Sequence, residues 1–173
     1  GILRYLQEKS GFDLSTWQFL GASSGCIPAV AAACEVPWQE VKESFDNLAS
    51  RSRASWTGPM FKMSKWQNEA ISESFNKRPG IYQKAQGRLH LCISHFPPKK
   101  SVLVSEFKSN QHLQEIMLGS FFIPFYSTQV VKHEGRICID GSFTNNKPTL
   151  SPQTITASAV DATATIHPKV PYK

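Results

Sequence analysis

Residues 16–34 read Thr16-Trp17-Gln18-Phe19-Leu20-Gly21-Ala22-Ser23-Ser24-Gly25-Cys26-Ile27-Pro28-Ala29-Val30-Ala31-Ala32-Ala33-Cys34. The stretch predicts a short apolar strand, a tight turn and then a helix of small residues. A glycine stands two positions before and two positions after Ser23, and this G-x-S-x-G pattern between strand and helix is typical of a nucleophile elbow, which turns a serine hydroxyl outward. In so sharp a turn, side chains at Gly21 and Gly25 are expected to collide with neighbouring backbone.

The helix that begins beside Ser23 directs its first backbone N–H groups and the positive end of its dipole toward the serine. We therefore expect these N–H groups to stabilise negative charge on a reacting carbonyl oxygen. A glycine- and serine-rich turn with no chemical role gives the same pattern, which arises by chance in about one chain in twenty of this length. The motif needs a partner residue before it predicts catalysis.

Composition indicates an ordinary globular chain. Its 173 residues suffice for one domain with its own core, and 40% are hydrophobic while 18% are charged. The formal net charge is +6, and the basic residues are scattered. A mildly basic exterior is the favoured interpretation and an anionic membrane surface the alternative. Because the chain shows no basic and aromatic stripe and no recognisable binding module, nucleic acid is not an expected partner.

Four cysteines, at positions 26, 34, 92 and 138, lie in apolar segments without C-x-x-C spacing. They are predicted to be reduced core thiols of an intracellular protein, and neither a metal site nor a disulfide framework is expected. No apolar run approaches the roughly 18 residues of a membrane span. The chain starts at Gly1 inside a helical pattern, so we expect it to be a piece of a longer protein.

Hydrophobic periodicity predicts alternating helices and strands after the opening motif. The apolar stripe of the helix that starts near residue 37 is expected to face the core. A first pair of strands is expected to be antiparallel, with His90 and His95 exposed on or beside its polar face. The predicted helices are 2–9, 37–50, 66–76 and 111–120, and the predicted strands are 89–94, 102–104, 136–139 and 154–157.

Residues 51–66 mix basic and large apolar side chains without a clear period. Such a mixture suits a lid or a contact with a membrane surface, where aromatic rings favour the interface and basic groups favour anionic headgroups. A partly packed connector explains the segment equally simply and is the favoured interpretation, because the segment is not strongly amphipathic.

Two residues could act as the base that a serine nucleophile requires. Asp140 follows a short apolar strand and opens an Asp-Gly turn, which would place its carboxylate at the same sheet edge as the elbow. His167 comes later in the chain, in the order Ser, Asp, His of an α/β-hydrolase triad. A common turn dipeptide and an exposed loop histidine are the alternatives, so the residues alone leave the base open.

Several motifs together resemble the patatin-like phospholipase family. They are Gly21 to Gly25, Ser120 to Tyr126 and Asp140 to Pro148, in matching order and spacing. Residues 87–94, 102–107 and 154–158 are similar to the animal branch that contains adipose triglyceride lipase and adiponutrin. The resemblance extends from about residue 1 to about residue 168. It implies a single three-layer α/β/α domain with a mixed, largely parallel sheet and both reactive groups at the carboxyl edge of its strands.

The resemblance also implies an activity. It assigns Ser23 as the nucleophile and Asp140 as general base and acid, with Gly21, Ser24 and Gly25 in the elbow and Gly141 and Ser142 in the Asp-Gly motif. Fatty-acyl esters of triacylglycerol or phospholipid would be hydrolysed through an acyl-enzyme without cofactor or metal. The protein would be cytoplasmic and peripherally associated with lipid droplets or membranes, and a protein coactivator is a further partner that the resemblance allows.

Two departures from the family pattern accompany this resemblance. The family's glycine-rich oxyanion strand and loop have no counterpart in the chain, so Ser24 supplies the visible oxyanion donor. Since losing one such donor costs about a hundred- to a thousandfold in turnover, this piece alone is expected to be weak or inactive. Ser142 stands where Gly or Ala is usual. A non-catalytic, patatin-like lipid-binding or regulatory protein is the alternative function.

Overall fold

The structure is a computed structural model that describes residues 2–97 and 99–169. The elbow region forms as predicted: β1 ends at Ala22, a single 3-10 turn covers Ser23–Gly25, and α2 continues from it. The helices are α1 (Ile2–Glu8), α2 (Cys26–Cys34), α3 (Trp38–Ala54), α4 (Met63–Asn76), α5 (Ile81–Ala85) and α6 (Asn110–Ser120), and the strands are β1 (Phe19–Ala22), β2 (Leu89–Phe96), β3 (Lys100–Val104), β4 (Lys132–His133) and β5 (Arg136–Asp140).

The sheet is built on β2. On one side β2 pairs with β3, from Leu91 to His95. On its other side β2 pairs first with β1 and then with β5, and β4 extends the sheet beyond β5. The pairing of β1 with β2 is parallel, and the other three pairings are antiparallel. The α/β fold with a mixed sheet that the sequence predicts is confirmed, and antiparallel pairings predominate among the described strands.

This topology brings two strand ends together. Ala22, the last residue of β1, is in register with Cys92, while Asp140, the last residue of β5, is in register with Ile93. Because β1 is parallel and β5 antiparallel to β2, their carboxyl ends approach each other from opposite directions along the same side of β2. The two carboxyl ends meet as predicted, but they meet beside the middle of β2 and not at an edge of the sheet.

Small residues allow α2 to pack closely on the sheet. Its residues Ala29 to Cys34 are all buried, and α2 contacts both β1 and β2. Helix α6 packs on β2 and β5 through Leu113, Ile116 and Met117, which are at most 2% exposed, as predicted. All four cysteines are buried and free, in agreement with their interpretation as core thiols.

Helix α3 differs from its prediction. It continues to Ala54 and has no buried residue among those described. Phe45 is 43% exposed, while Val41 and Leu48 are half-buried over a small cavity. The stripe therefore covers the core as an outer layer and does not enter it.

The predicted strand at 154–157 is also wrong. Its residues follow an irregular path, with one isolated bridge between Ala157 and Ile166. A short alternating run predicts a strand only where a neighbouring strand is available to pair with it.

The predicted exposure of His95 is wrong because a second histidine covers it. His95 is 3% exposed, and its Nε2 lies 3.1 Å from Nδ1 of His133 on β4. The ring of His112 from α6 stacks on that of His133, with centroids 6.4 Å apart. Burial and the neighbouring His133 lower the pKa of His95. His90 is half-buried rather than exposed.

No helix between residues 2 and 169, residue 98 aside, combines the length and apolar character needed to cross a bilayer.

Candidate active site

Ser23 occupies a strained turn. Its φ is +52°, in the left-handed region that costs a non-glycine residue about 1–3 kcal/mol and is concentrated at functional sites. The turn is possible because Gly21 lacks a side chain: a Cβ there would lie 2.6 Å from Cα of Cys26. The strand thus runs directly against the start of α2, and the strained residue between them is the serine.

Gly25 does not share this role. Its φ and ψ are −65° and −17°, which any residue adopts, and a Cβ there would meet no atom within 4 Å. Among the described residues, a side chain at Gly25 would therefore not collide with the backbone, and that prediction is wrong. The start of α2 has already turned away from β1 at Gly25.

Asp140 lies beside Ser23, at the end of β5, and is 1% exposed. The Ser23 hydroxyl donates a hydrogen bond of 2.6 Å to Oδ2 of Asp140. The other carboxylate oxygen, Oδ1, accepts from the backbone N–H and the hydroxyl of Ser142, at 2.9 and 2.6 Å. Ser142 therefore anchors one oxygen and leaves the second directed at Ser23.

The turn after Asp140 is as tightly packed as the elbow. A Cβ on Gly141 would lie 2.1 Å from the carbonyl oxygen of Cys92 on β2. Asp140 itself donates its backbone N–H to the carbonyl of Phe122 at 2.8 Å, and its own carbonyl accepts the hydroxyl of Ser94 at 2.9 Å. These contacts fix the backbone that carries the carboxylate.

The sequence places Ser120, the last residue of α6, in a motif but does not predict its contact with Ser23. The Ser120 hydroxyl is fully buried, accepts the backbone N–H of Ser23 at 3.0 Å and donates to the carbonyl of Cys92 at 2.7 Å. It also accepts the thiol of Cys26 at 3.1 Å; burial raises the pKa of that thiol to about 12, so the proton stays on sulfur. Ser120 links the elbow to the strand beneath it.

The chain is similar to several known proteins. No family model matches it. It is 29% identical over 88% of its length to mouse 1-acylglycerol-3-phosphate O-acyltransferase Pnpla3 and 25% identical over 98% to human patatin-like phospholipase domain-containing protein 2. Several of its curated relatives are named patatin-like phospholipase domain proteins. Human omega-hydroxyceramide transacylase is 27% identical over 76% of the chain. The chain covers 38%, 34% and 25% of these three relatives, respectively.

The N-terminal end of the α2 helical segment faces the site. Ser23 N–H is bonded to Ser120, whereas the N–H groups of Ser24 and Gly25 belong to the first turn, whose donors have no partner within a helix. Ser24 is exposed beside the serine hydroxyl. This turn is thus placed to donate to an oxygen that becomes negative next to Ser23.

His167 lies apart from Ser23 and Asp140. It is exposed, and its Nδ1 is 2.9 Å from the carbonyl oxygen of Pro168. Among the described residues, no hydrogen bond connects it to Ser23 or Asp140. The carboxylate contacts the serine directly, without an imidazole between them.

Two cavities adjoin the elbow. An apolar cavity of about 70 Å³ lies between α2, α3, α4 and α6 and begins at Ile27, one helical turn after Ser23. A larger groove of about 750 Å³ passes Ala22 and Gly25 and is bounded by α1, β1 and residues 146–157. Over residues 2–97 and 99–169, no group of three or more His, Cys, Asp or Glu side chains is arranged to hold a metal ion.

Proposed function

We propose that the chain carries the catalytic centre of a lipid acyl hydrolase that works through a Ser23–Asp140 dyad and an acyl-enzyme. The observation that carries the proposal is the 2.6 Å hydrogen bond from the Ser23 hydroxyl to the buried carboxylate. A serine hydroxyl is a weak nucleophile until a base accepts its proton, and Asp140 is within the distance that general base catalysis requires.

In the first half of the proposed reaction, Oδ2 of Asp140 accepts the proton of Ser23 while Oγ forms a bond to the ester carbonyl carbon. The carbonyl oxygen becomes negative and receives hydrogen bonds from the N–H groups at the start of the α2 segment. When the intermediate collapses, the bond to the alcohol oxygen breaks, and the leaving alcohol takes the proton from Asp140. The acyl group remains on Ser23.

In the second half, Asp140 accepts a proton from water as the water oxygen attacks the acyl carbonyl. The bond to Oγ then breaks, Ser23 recovers its proton from Asp140, and the fatty acid leaves. Because Ser142 anchors Oδ1, the carboxylate need not rotate between its two roles, and the same oxygen can serve both proton transfers.

The proposed substrate is triacylglycerol or phospholipid at the surface of a lipid droplet or membrane. The protein would then lie in the cytoplasm, peripherally associated with that surface, and could act together with a protein coactivator. The groove of about 750 Å³ supports the choice, because it passes Ala22 and Gly25 on either side of Ser23 and has room for an acyl chain. The separate apolar cavity of about 70 Å³ holds only a few methylene groups, so α3 would have to shift for a long chain to enter it.

Acyl transfer is a second candidate function, favoured by the relatives named as an acyltransferase and a transacylase. The chemistry differs in one molecule: an acceptor alcohol replaces water in the second half. Ser23 and Asp140 would keep the same roles.

The test is labelling of the intact protein with a fluorophosphonate probe, followed by an ester hydrolysis assay with and without an acceptor alcohol. Labelling should vanish in Ser23→Ala, and both labelling and turnover should be lost in Asp140→Asn. Labelling should persist in Ser24→Ala, which removes the neighbouring hydroxyl but keeps the backbone N–H. His167→Ala should remain active.

Three results would reject parts of this account. Equal labelling of wild type and Ser23→Ala would remove the nucleophile. Loss of turnover in His167→Ala but not in Asp140→Asn would select a triad. Lipid binding without any labelling or hydrolysis would favour the non-catalytic lipid-binding or regulatory protein.

A further inference from the structure

Two loops display large apolar side chains to solvent. The first, between α3 and α4, carries Trp56, which is fully exposed, and Met60 and Phe61, which are 42% and 56% exposed. The second follows α6 and carries Phe125 and Tyr126, 74% and 45% exposed. We call these five residues the aromatic surface. Exposed apolar residues on a monomer that are concentrated in this way mark interaction sites.

The two loops are joined through their backbones. The N–H of Phe61 donates to the carbonyl of Phe125 at 3.2 Å, and the N–H of Thr128 donates to the hydroxyl of Ser64 at 3.2 Å. Within the second loop, the N–H groups of Tyr126 and Ser127 both donate to the carbonyl of Ile123. The aromatic surface is therefore held in place by hydrogen bonds between and within the loops.

Backbone strain accompanies this display. Phe61 and Phe125 have φ values of +60° and +74°. Bulky residues in the left-handed region are outliers, each at a cost of about 1–3 kcal/mol, and such strain is found where function maintains it. Here the two strained residues are the two that the backbone hydrogen bond joins.

The charges near the aromatic surface are mostly basic. Residues 51–66 contain four basic and no acidic residues, and residues 121–131 contain no charged residue. Glu69 on α4 pairs with Arg51 at 2.8 Å and lies 4.0 Å from Lys65. Arg53 and Lys62 are exposed, and no ion pair involves either of them within the described residues. The surroundings of the exposed rings are thus basic.

We propose that the aromatic surface docks on an anionic phospholipid membrane, with its rings at the headgroup boundary and Arg53 and Lys62 on the phosphates. Aromatic rings prefer that boundary, and juxtaposed cations are attracted to anionic headgroups. A binding groove for a protein helix would instead be concave and apolar. The inference rests on the proposed lipid function and assigns the face that meets the lipid.

The second loop of the aromatic surface, which carries Phe125 and Tyr126, also leads to the candidate site. It begins directly after Ser120, which binds the elbow, and the carbonyl of Phe122 accepts the backbone N–H of Asp140. Phe125 is three residues farther along. One short loop therefore connects the proposed membrane contact to the backbone that holds the carboxylate.

The experiment measures sedimentation of the intact protein with vesicles of phosphatidylcholine alone or with about 30% phosphatidylserine, together with tryptophan fluorescence. We expect binding to the anionic vesicles and a blue shift that Trp56→Phe removes, because Trp66 is buried and Trp17 and Trp38 are half-buried. Binding should weaken about tenfold or more in Trp56→Ala/Phe125→Ala and about fivefold for each of Arg53→Gln and Lys62→Gln.

Matched controls change exposed residues elsewhere. Tyr5→Ala removes a ring that is 62% exposed, and Lys9→Gln removes a cation, both near α1; neither should alter vesicle binding. Fluorophosphonate labelling in solution needs no membrane and should be unchanged in the aromatic-surface variants. Loss of labelling in the wild type would reject the proposed catalysis without bearing on docking.

Three outcomes would overturn the docking proposal. One is equal binding of the wild type and Trp56→Ala/Phe125→Ala to anionic vesicles. Another is equal affinity for neutral and anionic vesicles. The third is an absence of vesicle binding combined with self-association or protein binding that the same double substitution abolishes, which would make the aromatic surface a protein interface.

Discussion

Replacing Gly21 by alanine should damage the elbow far more than the same change at Gly25. At Gly21 the new methyl group would lie 2.6 Å from Cα of Cys26 and 2.9 Å from the backbone oxygen of Gly25. Ordinary carbon contacts begin near 3.5 Å, so β1 and α2 must separate by about 1 Å. Overpacking of this kind costs about 1–3 kcal/mol. Because the strained Ser23 lies between the two elements, the displacement falls on this proposed nucleophile.

A 1 Å misplacement of a reacting group costs about a hundredfold in rate. We therefore expect Gly21→Ala to lower the free energy of unfolding by about 1–3 kcal/mol and to slow fluorophosphonate labelling of Ser23 by about a hundredfold. Gly25→Ala should be neutral or stabilising by about 0.4–1 kcal/mol, because Gly25 is helical and open. Denaturant titration and labelling rates measure both. Equal damage in the two variants would refute the reasoning and show that another part of the protein fills the space beside Gly25.

Three further predictions concern the same core. Ser120→Ala leaves the N–H of Ser23 and the carbonyl of Cys92 without their partner. The free energy of unfolding in denaturant titrations should therefore fall by about 2–4 kcal/mol, and fluorophosphonate labelling should slow. An unchanged denaturation midpoint would contradict this. Ser142→Ala keeps the backbone donor to Asp140 and should retain labelling within about tenfold, whereas a loss as large as that of Asp140→Asn would show that the hydroxyl is required. Burial and the neighbouring His133 lower the pKa of His95 in the folded state, so the unfolded chain binds more protons. The free energy of unfolding should therefore be highest above about pH 6.5 and should decline as the pH falls toward the lowered pKa of the folded state. His95→Gln should flatten that decline.

The local parts of the site could be predicted from the sequence. Glycine spacing around Ser23 predicts the elbow, and alternation predicts β2 and β3, because these features depend on residues that are close along the chain. The Asp-Gly dipeptide places Asp140 at a strand end for the same reason. The hydrogen bond between Ser23 and Asp140 agrees with the expectation that these side chains meet.

The long-range parts could not be predicted. That β1 and β5 share one side of β2 depends on strand order, which periodicity does not contain. His95 is buried because β4 brings His133 over it, and Ser120 reaches Ser23 across 97 positions of sequence. Gly25 reads like Gly21 in the motif, and only the path of α2 distinguishes them. For the strand order, His95 and Ser120, the decisive neighbour is remote in sequence, whereas at Gly21 the close neighbour is Cys26.

The pairing of β1 and β5 with the same side of β2 affects which insertions and deletions this protein can tolerate. Since β1 and β5 are each hydrogen-bonded to the same central strand, the separation between the two reactive groups is set by the repeat distance of that strand rather than by the 117 positions between them. Residues 37–80 make no hydrogen bond to Ser23 or Asp140 among the described residues, so insertions or deletions there can reshape the outer layer without moving these two side chains. Under the proposed function, substrate preference and bond cleavage can therefore evolve separately on this scaffold.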